Sequence, residues 1–129
     1  MESLIEKEEK RGIPANKIVL AGFSQGAVIA LTAGLRFSKR LAGILALSGY
    51  FPFAKQVLEK ASACNRSTPI FLAHGTEDTI VPYALGQITY SILQKQNYPV
   101  TWHSYAMSHS VSMNEIYDIA EWLKMIFKN

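Results

Sequence analysis

The sequence predicts an α/β fold built around a parallel sheet, and two observations support this prediction. Short apolar runs alternate along the chain with longer segments of helical periodicity, and Gly, Pro or Asn separate them. Strands that are apolar at nearly every position are buried on both faces, as in a parallel sheet covered on both sides by crossover helices. No linker or internal repeat divides the chain, so we expect a single domain over residues 1–129.

The strands of this sheet can be placed from apolar runs bounded by turn-forming residues. In chain order they are KIVLAGF (17–23), LAGILALS (41–48), PIFLA (69–73) and VTWHSYA (100–106). Parallel strands need long crossover connections, which are usually helical. We therefore expect about four parallel strands with helices on both faces of the sheet.

Helical patterns fill the intervals between the strands. The expected helices lie near residues 3–10, 25–37, 54–63 and 82–96, with one more after the last strand. Pro82 suits the first turn of its helix, because the missing N–H has no intrahelical acceptor there in any case. Ser112 and Glu115 have the spacing of a capping box, and apolar residues recur at helical spacing after them.

Composition and charge argue against several classes of protein. The net charge is only +3, and no long basic stripe or aromatic RNA-binding motif is present, which argues against nucleic-acid binding. The longest nearly apolar stretch is too short and too interrupted to span a bilayer. Cys64 is the only cysteine, and the charged start MESLIEKEEK is unlike a secretory or transit signal, so we expect a cytoplasmic protein. The histidines and acids lack metal-ligand spacing, and we expect no metal or other cofactor.

The motif GFSQGA (22–27) directly follows the first expected strand. A Gly-x-Ser-x-Gly pattern alone arises by chance in roughly a few per cent of chains of this length. At a junction of strand and helix, however, it is typical of a nucleophile elbow, in which the serine projects above the sheet. The position therefore predicts Ser24 as a nucleophile, with Gly22 and Gly26 avoiding side-chain clashes in the sharp turn.

A serine hydroxyl is a poor nucleophile at neutral pH, so it needs a base and an acid that orients the base. In parallel sheets such groups collect in loops beyond the carboxyl ends of the strands. The loop after the third strand, HGTEDTIVP, contains Asp78, and the loop after the fourth, MSHSVS, contains His109. We expect Asp78 to be the acid and His109 the base.

Other residues near the same strand ends could take these roles: Glu77, His74, His103 and Asp118. His103 alternates with polar and aromatic neighbours inside a strand pattern, which favours a place on a sheet face or the surface. His74 directly follows the third expected strand, where a histidine usually bonds within the turn. His109 lies slightly beyond its strand, on a short loop that can return toward Ser24.

These segments resemble the phospholipase/carboxylesterase family of α/β-hydrolases, which includes acyl-protein thioesterases and bacterial carboxylesterases. The most telling segment is GIPANKIVLAGFSQGA (12–27), supported by LAGILALSGY, HGTEDTIVP and VTWHSYAMSH. The resemblance implies an α/β-hydrolase fold with Ser24 as nucleophile, Asp78 as acid and His109 as base, in the chain order of that fold. It also implies hydrolysis of carboxylic esters or thioesters, including lysophospholipids or acylated proteins.

The family has further strands and an HG-x-G-type loop before this region, so the chain resembles the C-terminal portion of the fold. The oxyanion hole needs two backbone donors: the N–H of Gln25 and one from that upstream loop. The strand over residues 17–23 would then be a sheet edge, which favours a homodimer through that strand. An alternative function is an inactive or partner-dependent half-fold that acts as a binding or dimerising module.

The substrate is expected to be a small ester, a thioester or a lipid-like acyl compound. Residues that could line its pocket are apolar or aromatic and lie near the same loops: Tyr50, Phe51, Phe53, Ile80, Val81 and Met107. Each of them could equally be an ordinary packing residue. A dienelactone hydrolase fits less well, because that group has cysteine where this chain has Ser24.

Overall fold

The structure is a computed structural model that describes residues 1–128. Within them, four parallel strands form one sheet, and their order across the sheet is their order in the chain. The strands are β1 (Val19–Phe23), β2 (Gly43–Leu47), β3 (Ile70–Gly75) and β4 (Val100–Tyr105). The predicted α/β class is confirmed. The single domain over residues 1–129 stays a prediction and includes Asn129, which lies outside the described residues.

The helices are α1 (Glu2–Lys10), α2 (Gln25–Arg36), α3 (Ala54–Glu59), α4 (Tyr83–Lys95) and α5 (Met113–Ile126). The expected capping box is present at the start of α5. The N–H of Glu115 donates to Ser112 Oγ over 3.1 Å, and the N–H of Ser112 donates to the Glu115 carboxylate over 3.3 Å. Within residues 1–128 no helix is long and apolar enough to cross a membrane.

The strand boundaries differ from the prediction by one or two residues, and two of these differences have a clear structural cause. The first strand starts later than expected, because residues Ala15–Lys17 form a 3₁₀ turn. The third strand runs past residue 73 to Gly75, because His74 and Gly75 continue the pairing with β4. His74 therefore lies inside the sheet and not in the loop that follows it.

The sheet is buried on both faces, as its apolar strands predict. All five residues of β2 are buried. Ile44 and Ala46 pack into the larger core, on the face covered by α1–α4. Leu45 and Leu47 pack on the other face with Trp122 of α5. The loops at the carboxyl ends of the strands are thus held between two packed layers.

Strand β1 lies at one edge of the sheet, as the sequence predicts for this chain, and β4 lies at the other. The N–H of Ser24 donates to the carbonyl of Leu47 over 2.8 Å, which continues the ladder between β1 and β2. Because hydrogen bonds alternate along a strand, the N–H and C=O groups of Val19, Ala21 and Phe23 point toward the open edge.

Candidate active site

Ser24 occupies a strained turn between β1 and α2. Its backbone has φ 60° and ψ −118°, a conformation that residues other than glycine rarely adopt. β1 ends at Phe23 and α2 begins at Gln25, so this single residue reverses the chain direction. The turn has the form of a nucleophile elbow.

The two glycines around Ser24 have different surroundings. A Cβ at Gly22 would collide with the backbone carbonyl of Gly26, so the turn requires glycine at that position. A Cβ at Gly26 would meet nothing within 4 Å. The expectation that both glycines avoid clashes is therefore correct for Gly22 and wrong for Gly26 within the described residues.

The loops after β3 and β4 bring Asp78 and His109 to Ser24. The Nε2 atom of His109 lies 3.0 Å from Ser24 Oγ, and its Nδ1 atom lies 2.7 Å from Asp78 Oδ2. The imidazole ring also packs against Phe23, with ring centroids 4.7 Å apart. Sequence reasoning missed Phe23, although its position directly before Ser24 is a signal that the ring lies near this site.

The carboxyl group of Asp78 is buried and accepts several hydrogen bonds. Burial opposes its ionisation, but the hydrogen bonds from His109 and from the N–H groups of Val81 and Ile80 outweigh this effect. The positive charge that His109 can carry also lowers the pKa of Asp78. The pKa of Asp78 consequently lies below its ordinary value, and the group is a carboxylate at neutral pH.

The other candidate acids and bases lie elsewhere. Glu77 is exposed beside Asp78. His103 stacks on Phe71 with ring centroids 4.4 Å apart, and its Nδ1 atom lies 3.8 Å from Asp118. His74 is buried and contacts Asp78 and the carbonyl of Val81. None of these contacts is with Ser24.

The expected oxyanion donor is the backbone N–H of Gln25. Gln25 is the first residue of α2, and the first N–H groups of a helix have no intrahelical acceptor. The partial positive charge at the helix start also favours negative charge nearby. This group is therefore suitable for binding an oxygen that becomes negative beside Ser24.

A groove of about 400 Å³ opens beside Ser24 and Gln25. Its other lining residues are Tyr50, Ile80, Val81, Pro82 and Leu85. Three of the expected pocket residues thus line it. Sequence reasoning missed Pro82 and Leu85, for which the only signal is their place in the first turn of α4.

The remaining expected pocket residues lie outside this groove. Phe51 is buried in the larger core, and Phe53 is 76% exposed at the start of α3. Met107 is buried against Gly75, where its backbone and side chain leave no room for a Cβ. Within residues 1–128, no cluster of three or more His, Cys, Asp or Glu side chains could hold a metal ion.

A parallel sheet with serine at a tight turn between strand and helix defines the class as α/β-hydrolase. The model of the family described as Phospholipase/Carboxylesterase matches residues 1–127. The chain belongs to the phospholipase/carboxylesterase family. The family resemblance expected from the sequence is thereby confirmed.

The similar proteins include named ester and thioester hydrolases. Acyl-protein thioesterase 1 of Yarrowia lipolytica is 40% identical over 127 residues, which cover 96% of this chain and 56% of that protein. Acyl-protein thioesterase 1 of Neurospora crassa is 42% identical over 123 residues, covering 93% of this chain and 50% of that protein. The chain spans about half the length of the curated relatives it matches.

Solved structures have the same fold over this region. The crystal structure of Arabidopsis thaliana SOBER1 matches with a TM-score of 0.92 and 29% identity, covering 98% of this chain and 60% of that chain. The crystal structure of Zea mays acyl-protein thioesterase 2 matches with a TM-score of 0.79 and 28% identity, covering 88% of this chain and 58% of that chain. The chain therefore resembles ester hydrolases in both sequence and fold.

Proposed function

We propose that this chain carries the Ser-Asp-His triad of a serine hydrolase that cleaves carboxylic esters or thioesters. The observation that supports this most strongly is the continuous hydrogen-bonded chain from Ser24 through His109 to Asp78, with distances of 3.0 and 2.7 Å. These distances are within the reach required of a nucleophile and its general base. Membership of a family of such hydrolases supports the same reaction.

His109 acts as the general base in this proposal. A carboxylate can only accept hydrogen bonds, so the contact with Asp78 assigns the ring proton to Nδ1. The unprotonated Nε2 then faces the Ser24 hydroxyl and can take its proton. Asp78 maintains this tautomer and stabilises the imidazolium that forms.

The reaction proceeds by two acyl transfers. Ser24 Oγ attacks the substrate carbonyl, and the bond to the alcohol or thiol breaks as that group takes the proton from His109. Water then attacks the acyl-enzyme, again losing a proton to His109, and Ser24 is regenerated with the carboxylic acid as product. The N–H of Gln25 is one proposed donor to the oxyanion, and the expected second donor is a loop of the HG-x-G type.

The groove beside Ser24 is the proposed site for the acyl group. Tyr50, Ile80 and Val81 supply apolar surface within reach of the serine. Ile80 is 69% exposed, so this wall is available to a ligand. A groove beside the nucleophile that is lined in part by apolar side chains can hold the acyl chain of a thioester, an ester or a lysophospholipid.

Labelling with a fluorophosphonate probe and hydrolysis of p-nitrophenyl esters test the proposal. Wild type should be labelled, Ser24→Ala should not, and Ser67→Ala, an exposed serine far along the chain, should be labelled like wild type. Labelling that survives Ser24→Ala would refute the nucleophile. A longer polypeptide that includes an upstream HG-x-G-type loop should turn over faster by about 10²–10³, the effect of one oxyanion donor.

The open edge of β1 favours a second candidate function, in which this chain pairs with a second copy. The proposed contact is the strand over residues 17–23, because Val19, Ala21 and Phe23 present unpaired N–H and C=O groups there. Sedimentation should detect a dimer that Ala21→Lys abolishes and Ser104→Lys, on the opposite edge strand, retains. A wild-type monomer at high concentration would contradict this proposal.

We also propose a cytoplasmic location, which rests on the single cysteine. Cys64 is a free, exposed thiol, and such groups are compatible with a reducing compartment. Fractionation of cells that express the tagged protein would test this. Recovery in a secreted or organellar fraction would contradict it.

A further inference from the structure

A second histidine, His74 of β3, contacts the same carboxylate as His109. Its side chain is 1% exposed, and its Nε2 atom lies 2.8 Å from the carbonyl oxygen of Val81 and 3.3 Å from Asp78 Oδ2. A carbonyl oxygen only accepts hydrogen bonds, so Nε2 carries a proton in every charge state of the ring. His74 therefore donates this N–H to the carbonyl of Val81, and Asp78 Oδ2 lies beside it without a hydrogen bond.

This contact closes the turn that presents Asp78. Asp78 Oδ1 accepts the N–H groups of Ile80 and Val81 over 2.9 and 2.8 Å, which holds the turn from within. His74, in the strand that leads into the turn, holds the carbonyl of Val81, and Oδ2 faces His109. Both ends of the turn and both carboxylate oxygens are thus bonded.

The position of the His74 ring is itself fixed by packing. Its Nδ1 atom lies only 2.5 Å from the point where a Cβ at Gly86 of α4 would stand. The ring stacks on Trp102 at 6.4 Å and meets the edge of Tyr83 at 6.0 Å between centroids. A buried ring enclosed in this way has little freedom to turn, so its N–H stays aimed at the carbonyl of Val81.

We propose that His74 is a positioning residue: by holding the Val81 carbonyl, it fixes the turn that keeps Asp78 Oδ2 in hydrogen-bonding contact with His109. This inference rests on the proposed function, since it assigns the role through the triad. His74 touches no reacting atom, and its effect reaches Ser24 only through Asp78 and His109. The described titratable groups in contact with the Asp78 carboxylate are these two histidines.

Replacing His74 by Phe keeps a ring in the enclosed site and removes the N–H. The Val81 carbonyl then loses its donor, so the turn holds Asp78 less firmly against His109. The ratio of the Nδ1–H to the Nε2–H tautomer of His109 should fall by up to about tenfold, the effect of losing one buried hydrogen bond. His74→Gln, whose amide nitrogen can replace the donor, should restore the ratio.

The measurement is the imidazole ¹⁵N chemical shifts of histidine-labelled protein, which report the His109 tautomer without turnover. His103→Phe is the matched control, because His103 contacts Asp118 and not Asp78. Gly86→Ala is an independent variant that displaces the intact His74 ring and should lower the ratio as His74→Phe does. In active protein, kcat should fall about tenfold in both variants, with KM changed less than about twofold.

The two proposals fail in different ways. An unchanged His109 tautomer ratio in both His74→Phe and Gly86→Ala would overturn the positioning role, whatever the activity. Fluorophosphonate labelling of wild type that is insensitive to Ser24→Ala would overturn the proposed function and leave the tautomer measurement intact. Should His74→Phe fail to fold, Gly86→Ala decides the question, because it keeps the His74 side chain and changes only where its ring lies.

Discussion

Replacing Ser24 by glycine should give a more stable protein than replacing it by alanine. Both changes remove the hydroxyl and its contact with His109, so the difference between them isolates the backbone. At φ 60° and ψ −118°, a residue with a Cβ carries strain of about 1–3 kcal/mol, which glycine relieves. Glycine costs about 0.4–1 kcal/mol through the greater freedom of the unfolded chain.

The net expectation is that Ser24→Gly exceeds Ser24→Ala by about 1 kcal/mol in the free energy of unfolding. This corresponds to a difference of about 4 °C in melting temperature for a domain of this size. Urea unfolding followed by circular dichroism at neutral pH measures it. Both variants should fail to react with a fluorophosphonate.

The control is the same pair of substitutions at Ser104, an exposed residue of the extended strand β4. The free energy of unfolding of Ser104→Gly should be lower than that of Ser104→Ala by about 0.5–1 kcal/mol, the usual cost of glycine within a strand. If the free energy of unfolding of Ser24→Ala equals or exceeds that of Ser24→Gly, the backbone at Ser24 is not strained and the reasoning about the turn is wrong.

Three further predictions concern the glycines of the turn and two buried carboxyl groups. Gly22→Ala should lower the melting temperature, because its Cβ would collide with the Gly26 carbonyl. Gly26→Ala should be neutral or stabilising by up to about 1 kcal/mol. Equal melting temperatures for the two variants would contradict this. Because hydrogen bonding holds the pKa of Asp78 below its unfolded value, its stabilisation is present above that unfolded value and is lost as the pH falls through the folded pKa. Urea midpoints of Asp78→Asn should therefore depend less on acid pH than those of wild type. Burial raises the pKa of Glu115 above its value in the unfolded chain, so wild type loses stability as the pH rises from the unfolded pKa to the folded pKa. Glu115→Gln should therefore have a higher melting temperature than wild type near pH 8 and no higher melting temperature near pH 4.

Much of the fold follows from local pattern. The continuous apolar run of β2 predicts a strand buried on both faces, and all five of its residues are buried. The capping box at Ser112 and Glu115 was predictable because both partners lie within one helical turn. The end of β3 was not, because His74 and Gly75 have the composition of a turn and only pairing with β4 extends the strand.

The site was predictable where topology decides it. All parallel strands have their carboxyl ends on the same side of the sheet, which brings the loops of Asp78 and His109 close to Ser24. The pocket was less predictable, since the segment after β2 has no periodicity that separates the buried Phe51 from the exposed Phe53. The backbone of Phe53 is left-handed, at φ 56°, which turns its side chain in a way no local pattern indicates.

The order of the strands has a consequence for how the chain folds during synthesis. Each strand pairs with the one made just before it, across sequence separations of about 24 to 30 residues (Val19 to Gly43, Ile44 to Ile70, Ile70 to Val100). Loop-closure entropy grows only slowly with length, so these three closures cost nearly the same free energy. The sheet can therefore grow one strand at a time toward its β4 edge as the ribosome releases the chain. His109 follows β4, so it can contact Ser24 only after β4 has docked on the sheet.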